Sequence, residues 1–96
     1  MPDRRSKLKL YLDILESIKM GEHRPTHIQF GTHVTWQQFN DAVTYLVETG
    51  LVEKRYRGSK TARGALRYYL TPKGEEEMKK ISYVINLMEE PDQEDQ

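Results

Sequence analysis

The segment from Lys54 to Arg67 combines six cationic side chains with a complete absence of carboxylates. The cations are Lys54, Arg55, Arg57, Lys60, Arg63 and Arg67. Side chains of this kind can neutralise the phosphates of a polyanion and release its counterions. Gly58 and Gly64 would let the backbone approach such a partner closely. A solvated basic loop is the alternative, and the lack of acidic neighbours favours binding over it.

The chain of 96 residues is neutral in total, but its charges are unevenly distributed. Residues 1–74 hold thirteen Lys and Arg against seven Asp and Glu, a balance of +6. Residues 75–96 hold two against eight, a balance of −6. A chain of this length forms one small core, so the pattern predicts a basic body with an acidic C-terminal segment.

Other chemistries find little support in the sequence. His23, His27 and His33 lie close together, but Pro25 interrupts their alignment and no cysteine completes a metal site. We recognise no phosphate loop, nucleophile motif or carboxylate pair, so neither an enzyme nor a cofactor is expected. No apolar run has the length of a membrane span, and the first residues, MPDRRSK, do not resemble a secretory signal. A cytoplasmic protein is the expectation.

An amphipathic first helix is predicted over residues 5–20, and Gly21 follows it as a stop signal. Its core stripe is predicted to consist of Leu8, Leu12, Leu15 and Ile18. Leu10 and Ile14 lie outside that stripe. The apolar arc is therefore wider than one core face needs, which predicts a helix that is covered on two sides.

Two more helices are predicted before residue 50. Pro25 suits the first position of a short helix, which Gly31 and Thr32 interrupt. Thr35 can cap the next helix, and Gln38 can complete a capping box with it. Gly50 closes this helix, whose apolar stripe consists of Phe39, Ala42, Val43, Leu46 and Val47.

Two strands and a last helix follow. The strands, LVEKRY (51–56) and LRYYL (66–70), are joined by a connection too long for a tight turn. Thr71 can cap the last helix, with Pro72 at its first position. Residues 89–96, EEPDQEDQ, are acidic and lack apolar side chains, which predicts a disordered tail.

A short helix, a turn, a capped helix and a hairpin, in this order, resemble the winged helix-turn-helix domains common among small archaeal transcriptional regulators. The motifs that carry the resemblance are THIQF (26–30), VTWQQF (34–39), YLVETGLVE (45–53) and RYYLTPKGEE (67–76). The resemblance implies an α+β, mainly α, fold with three helices and a two-stranded wing in residues 1–74. An added C-terminal helix would begin at about residue 72 and continue over residues 75–88.

The resemblance also implies double-stranded DNA as the partner. The helix predicted over residues 35–50 would enter the major groove, and the wing over residues 57–65 would lie on the backbone. Gln37 and Asn40 are residue types that can pair bidentately with adenine. Helix contacts are predicted for Thr35, Trp36, Gln37, Gln38, Asn40 and Thr44, with Trp36 partly buried. Wing contacts are predicted for Arg55, Arg57, Lys60, Arg63 and Arg67.

Wide apolar arcs on the first and last helices predict a homodimer, because one small domain has few other surfaces to cover them. Dimer contacts are predicted at Leu10, Ile14, Met78, Ile81, Ile85 and Met88. A twofold dimer would present two recognition helices to successive major grooves.

The sequence thus predicts a homodimeric, sequence-specific DNA-binding transcriptional regulator that is associated with the nucleoid and needs no cofactor. Two other functions remain open. One is an architectural, nucleoid-type protein with weak sequence preference, and the other is a winged helix that binds an acidic protein. The helix would specify the site and the wing would position the protein on it.

Overall fold

A computed structural model describes residues 7–59 and 64–89 of the chain. The elements in chain order are α1 (Lys7–Lys19), α2 (Pro25–Thr32), α3 (Trp36–Glu48), β1 (Val52–Tyr56), β2 (Leu66–Leu70) and α4 (Pro72–Glu89). The described residues therefore form four helices and one two-stranded sheet, which confirms the predicted fold class. None of these helices is long and apolar enough to cross a membrane. Of the acidic tail predicted over residues 89–96, Glu89 is the last residue of α4, and residues 90–96 lie outside the described part.

The first helix, α1, packs against α2, α3, α4 and β2. This position explains why its apolar arc is wide. Ile14 and Leu15 have no exposed surface at all. The prediction that Ile14 offers a contact to a second chain is therefore wrong, because its own chain already covers it. Leu8, predicted in the core stripe, is 40% exposed because it lies in the first turn of α1.

Residues 33–35 form the turn between α2 and α3. The Gln29 side chain donates from Nε2 to the carbonyl of Val34 (2.6 Å), which ties the turn to α2. His33 adopts a left-handed conformation (φ 61°) at the C-cap of α2. The short helix thus begins at Pro25 as predicted, but it continues past Gly31 to Thr32, whose hydroxyl donates to the Gln29 carbonyl (2.8 Å).

Thr35 and Gln38 begin α3 with the predicted capping box. The Thr35 Oγ1 accepts a hydrogen bond from the Gln38 backbone N–H (3.1 Å), and Gln38 Oε1 accepts one from the Thr35 N–H (3.1 Å). These bonds satisfy N–H groups that a helix leaves without intrahelical partners at its start. The buried stripe that follows consists of Phe39, Ala42, Val43 and Leu46.

The two strands pair antiparallel, with Val52 opposite Leu70 and Tyr56 opposite Leu66. Tyr68 is 5% exposed and marks the face that packs on the helices. On the other edge of β2, the Tyr68 N–H donates to the His23 carbonyl (2.9 Å), and His23 Nδ1 lies 2.9 Å from the Tyr68 carbonyl oxygen. The segment before α2 therefore fixes the position of the hairpin relative to the helices.

Thr71, Lys73 and Gly74 attach the start of α4 to the end of α3. The Thr71 hydroxyl donates to the Gly50 carbonyl (2.7 Å) and accepts from the Gly74 N–H (2.9 Å). Lys73 Nζ donates to the Thr49 carbonyl (3.0 Å). Thr71 is thus the cap that the sequence predicted, and it also joins two elements.

The apolar stripe predicted on α4 divides between the core and the surface. Ile85 is buried, while Met78 and Ile81 are partly buried against the core. These three side chains, predicted as dimer contacts, stabilise the fold of their own chain because α4 packs along α1. Met88 is 70% exposed, and other large apolar side chains beside it are exposed as well, namely Tyr83, Val84 and Leu87.

Candidate nucleic-acid interface

The outward face of α3 lies opposite its buried stripe. Helical spacing places Gln37, Asp41, Thr44 and Glu48 along this face, and all four are exposed. The Gln37 side chain donates from Nε2 to Asp41 Oδ1 (3.1 Å), one turn further along the helix. The exposed face therefore begins with the hydrogen-bonded amide of Gln37 and also carries two carboxylates, those of Asp41 and Glu48.

The flanks of α3 turn toward different neighbours. Trp36 and Asn40 face the hairpin, where Trp36 is half-exposed and its ring lies 5.2 Å from that of Phe39. Partial burial of Trp36 was predicted. On the other flank, Tyr45 stacks on Tyr11 of α1 with ring centroids 5.1 Å apart. Gln38 lies on this second flank and belongs to the capping box, so its primary role is to position α3.

A groove of about 450 Å³ separates the first turns of α2 and α3 from the hairpin. Arg24 lines it from the N-cap position of α2 and Thr26 from the first turn of that helix, while Asn40 lines it from α3 and Lys54 and Arg67 line it from the strands. Tyr68 forms part of its wall, and burial, with a smaller contribution from Tyr56, raises the pKa of its phenol. Three basic residues thus line the groove together with neutral hydrogen-bonding groups.

Strand register decides which basic residues face this groove. Lys54 pairs with Tyr68, so both lie on the groove side of the sheet. Arg55 pairs with Arg67, so both side chains leave the sheet on the opposite face, and Arg67 lines the groove without pointing into it. On that opposite face the Arg55 Nε donates to Glu53 Oε2 (2.6 Å), and the Arg55 guanidinium lies 4.3 Å from the centre of the Tyr69 ring. Arg55 is therefore occupied within the hairpin.

The tip of the hairpin carries the remaining wing residues. Arg57 is exposed, and its backbone N–H donates to the Ala65 carbonyl (2.9 Å). Gly58 (φ 78°) and Gly64 (φ 74°) adopt left-handed conformations at the two ends of the tip. Lys60 and Arg63, both predicted contacts, lie outside the described residues. Arg67 Nη1 donates to the Gly64 carbonyl (2.6 Å), so this side chain also supports the loop.

Each of the three histidines has a structural contact. His23 stacks on Tyr69 with ring centroids 4.2 Å apart, in addition to its bond with β2. His27 Nδ1 lies 3.3 Å from Glu22 Oε1, and His33 ends α2. Among the residues that the structure describes, no group of three His, Asp or Glu is placed to hold a metal ion.

Arg24, Lys54 and Asp41 were absent from the predicted contacts. Alternation along β1 was the available signal for Lys54, since it lies two residues after buried Val52 and shares its face. Asp41 follows Gln37 by four residues, and this spacing was the available signal that the two side chains are neighbours on one helix face. Arg24 carried no local signal, because it reaches the groove only through the packing of α2 beside the hairpin.

Comparison with known proteins supplies an independent view of this arrangement. The sequence pattern of a family described as winged helix-turn-helix matches residues 4–89. An uncharacterized protein of Methanocaldococcus jannaschii is 29% identical over 85 residues, which are 88% of this chain and 36% of that protein. The chain therefore spans little more than a third of the length of this relative.

Solved structures with a similar fold include transcriptional regulators. One from Clostridium thermocellum has a TM-score of 0.74 at 18% identity, over 88% of this chain and 87% of its own. The regulator BldR from Sulfolobus solfataricus has a TM-score of 0.67 at 22% identity, over 82% of this chain and 58% of its own. At these identities the likeness shows a shared fold.

Proposed function

Because the chain belongs to the winged helix-turn-helix family, we propose that it is a transcriptional regulator that binds double-stranded DNA in a sequence-specific manner. The observation that carries this proposal is the groove between α3 and the hairpin, which Arg24 and Lys54 line together with the exposed Asn40. A helix flanked by cations can place its side chains on base edges while the cations neutralise phosphates.

In this proposal the first two turns of α3 read bases. Gln37 and Asn40 are exposed there, and each carries an amide that can pair with adenine in the major groove. Thr44 lies one turn further along and can contact a phosphate or a thymine methyl group. The capping box supports this role because it holds the first turn of α3 in place.

The cations of the groove and wing supply phosphate contacts. Lys54 and Arg24 face the groove, and Arg57 is exposed beyond it. Lys60 and Arg63 keep their predicted role as further wing contacts. Arg55 contributes less in this proposal, because Glu53 and Tyr69 already hold its side chain on the opposite face.

We propose a homodimer as the DNA-binding form. The exposed apolar side chains near the end of α4 support it, since they form two pairs at helical spacing, Tyr83 with Leu87 and Val84 with Met88. A contiguous apolar surface on a small domain is typical of an interface. In this proposal the exposed side chains of these two pairs form the dimer contact, in place of Ile14 and Ile85, which are buried within the chain.

The salt dependence of binding tests the role of the groove. Lys54→Ala should weaken binding to every duplex and reduce the slope of log affinity against log salt by about 0.9, the value for one phosphate contact. Arg55→Ala removes the neighbouring cation from the opposite face and is the matched control, for which little change in slope is expected. Equal effects of both variants would contradict the assignment of the groove.

Selection of bound fragments from random duplex DNA tests sequence specificity. A regulator should enrich a defined site, with each mismatch costing about 1–3 kcal/mol. Uniform recovery of all sequences would instead indicate an architectural protein. If no duplex binds even at low salt, the proposed DNA-binding function is wrong and a protein-interaction role is favoured.

A further inference from the structure

Asp41 is an unexpected residue for the outward face of α3. A carboxylate on a surface that meets the phosphates of DNA lowers affinity through repulsion between like charges. The face already carries Glu48, so Asp41 is a second such group near its base-reading end. Its position needs a compensating role, and its contact with Gln37 supplies one.

We infer that Asp41 is a positioning residue that orients the Gln37 amide for adenine. This inference rests on the proposed DNA-binding function. The Gln37 Nε2 donates to Asp41 Oδ1 (3.1 Å), so the nitrogen end of the amide points toward Asp41. A glutamine amide has two N–H donors and one carbonyl acceptor. The bond uses one donor and leaves the second N–H, together with Oε1, for another partner.

That remaining pair matches the major-groove edge of adenine. Oε1 can accept a hydrogen bond from the N6 amino group, while the second N–H donates to N7. An amide that is reversed end for end offers the wrong partner at each position. Ordering Gln37 before binding also reduces the loss of side-chain freedom when the complex forms. Asp41 thus contributes to base discrimination at the expense of general affinity for DNA.

Asp41→Asn separates these two effects. Asparagine keeps the shape but removes the charge, and because it can donate as well as accept, it no longer fixes the orientation of Gln37. Discrimination should fall by about two- to tenfold, the range for loss of one of the neutral hydrogen bonds between the Gln37 amide and adenine. Affinity for random duplex should rise at the same time, because one negative charge is gone.

Glu48→Gln is the matched control. It removes the same charge from the same exposed face of α3, but position 48 is three turns from Gln37. This variant should raise affinity for random duplex without changing the discrimination ratio. A decrease in discrimination that occurs in Asp41→Asn and not in Glu48→Gln therefore reports orientation rather than charge.

Fluorescence anisotropy with two labelled duplexes provides the measurement. The first duplex carries the site selected by the wild-type protein. Selection with Gln37→Ala identifies the A·T position at which base preference is lost, and the second duplex has a G·C pair at that position. Wild-type discrimination between them should be about 5- to 150-fold, as expected for one bidentate pair. In the Gln37→Ala background, Asp41→Asn should have no further effect on the ratio.

The outcomes distinguish the inference from the proposed function. If the wild type binds a selected site and Asp41→Asn leaves discrimination unchanged, the inference is overturned while the proposed function stands. The same holds if Gln37→Ala alters no base preference, or if the Asp41→Asn effect persists without Gln37. A wild type that shows no sequence preference at all overturns the inference together with sequence-specific regulation.

Discussion

Gly74 is the residue at which two of the motifs that carry the family resemblance, YLVETGLVE (45–53) and RYYLTPKGEE (67–76), contact each other. It is buried in the first turn of α4 against the Leu51 backbone, and a Cβ atom there would overlap the Leu51 carbonyl oxygen and approach the Leu70 side chain. Glycine in a helix is normally unfavourable relative to alanine by about 1 kcal/mol. Here close packing between backbones requires it, so the motif encodes a contact between elements.

Gly74→Ala should therefore destabilise the fold by about 1–3 kcal/mol, the usual cost of forcing extra volume into a packed site. Gly31→Ala is the control within a helix, because a Cβ at Gly31 meets nothing within 4 Å. That variant should be neutral or stabilising by up to about 1 kcal/mol. Urea unfolding followed by circular dichroism measures both. Equal stability of the two variants would mean that the contact with Leu51 is unimportant.

Among the elements, α3 has the most explicit start signal. The Thr35 and Gln38 side chains and backbones bond reciprocally, and Gln29 secures the preceding turn through the Val34 carbonyl. The first turn of α3 is also the part proposed to read bases. Its stability should therefore affect both folding and recognition.

Thr35→Ala should lower the free energy of unfolding by about 1 kcal/mol, because an N–H group at the start of α3 loses its partner. For a domain of this size that change corresponds to about 4–8 °C in Tm. Thr35→Ser keeps the capping oxygen and should retain most of the stability. Thr44→Ala, on the exposed face of the same helix, should change stability by less than about 0.5 kcal/mol. Differential scanning calorimetry compares the three, and a Tm for Thr35→Ala equal to that of Thr44→Ala would refute the capping role.

At the level of the whole molecule, α4 carries two kinds of apolar surface. Its buried side, with Ile85, completes the core around α1, whereas Tyr83, Leu87 and Met88 remain exposed. A helix with both kinds of apolar surface can stabilise its own chain and contact a second copy. Truncating α4 would confuse the two roles, so point substitutions on the exposed side are the better test.

Leu87→Glu should weaken the proposed homodimer by roughly tenfold or more, because burying an unpaired carboxylate at an apolar interface costs more than about 1.4 kcal/mol. Asn86→Glu adds the same charge at an exposed position outside the two apolar pairs and should have a smaller effect. Sedimentation velocity over a concentration series measures the dissociation constant. A wild type that stays monomeric throughout, or a Leu87→Glu variant that dimerises normally, would contradict this interface.

Local patterns in the sequence were sufficient to predict the elements. Helical spacing, the Thr35 to Gln38 capping box and the paired strands gave the correct order, because these signals depend on residues within one or two turns of each other. The two signature motifs led to the correct family for the same reason. They did not reveal that the motifs contact each other through Thr71 and Gly74.

Side-chain direction was decided only by tertiary structure. The apolar arc of α1 includes both Leu8 and Ile14, and the packing of neighbouring helices determined which of them is buried. The prediction treated five of the six cations alike, and strand pairing with packing placed Lys54 on the side of α3 and Arg55 on the opposite face. Arg24 and Lys54 line the same groove although thirty positions of the chain separate them, because the neighbouring His23 bonds to β2. The sequence alone determined the elements and the overall balance of charge, since these follow from neighbouring residues. The composition of the groove depended on contacts between distant segments.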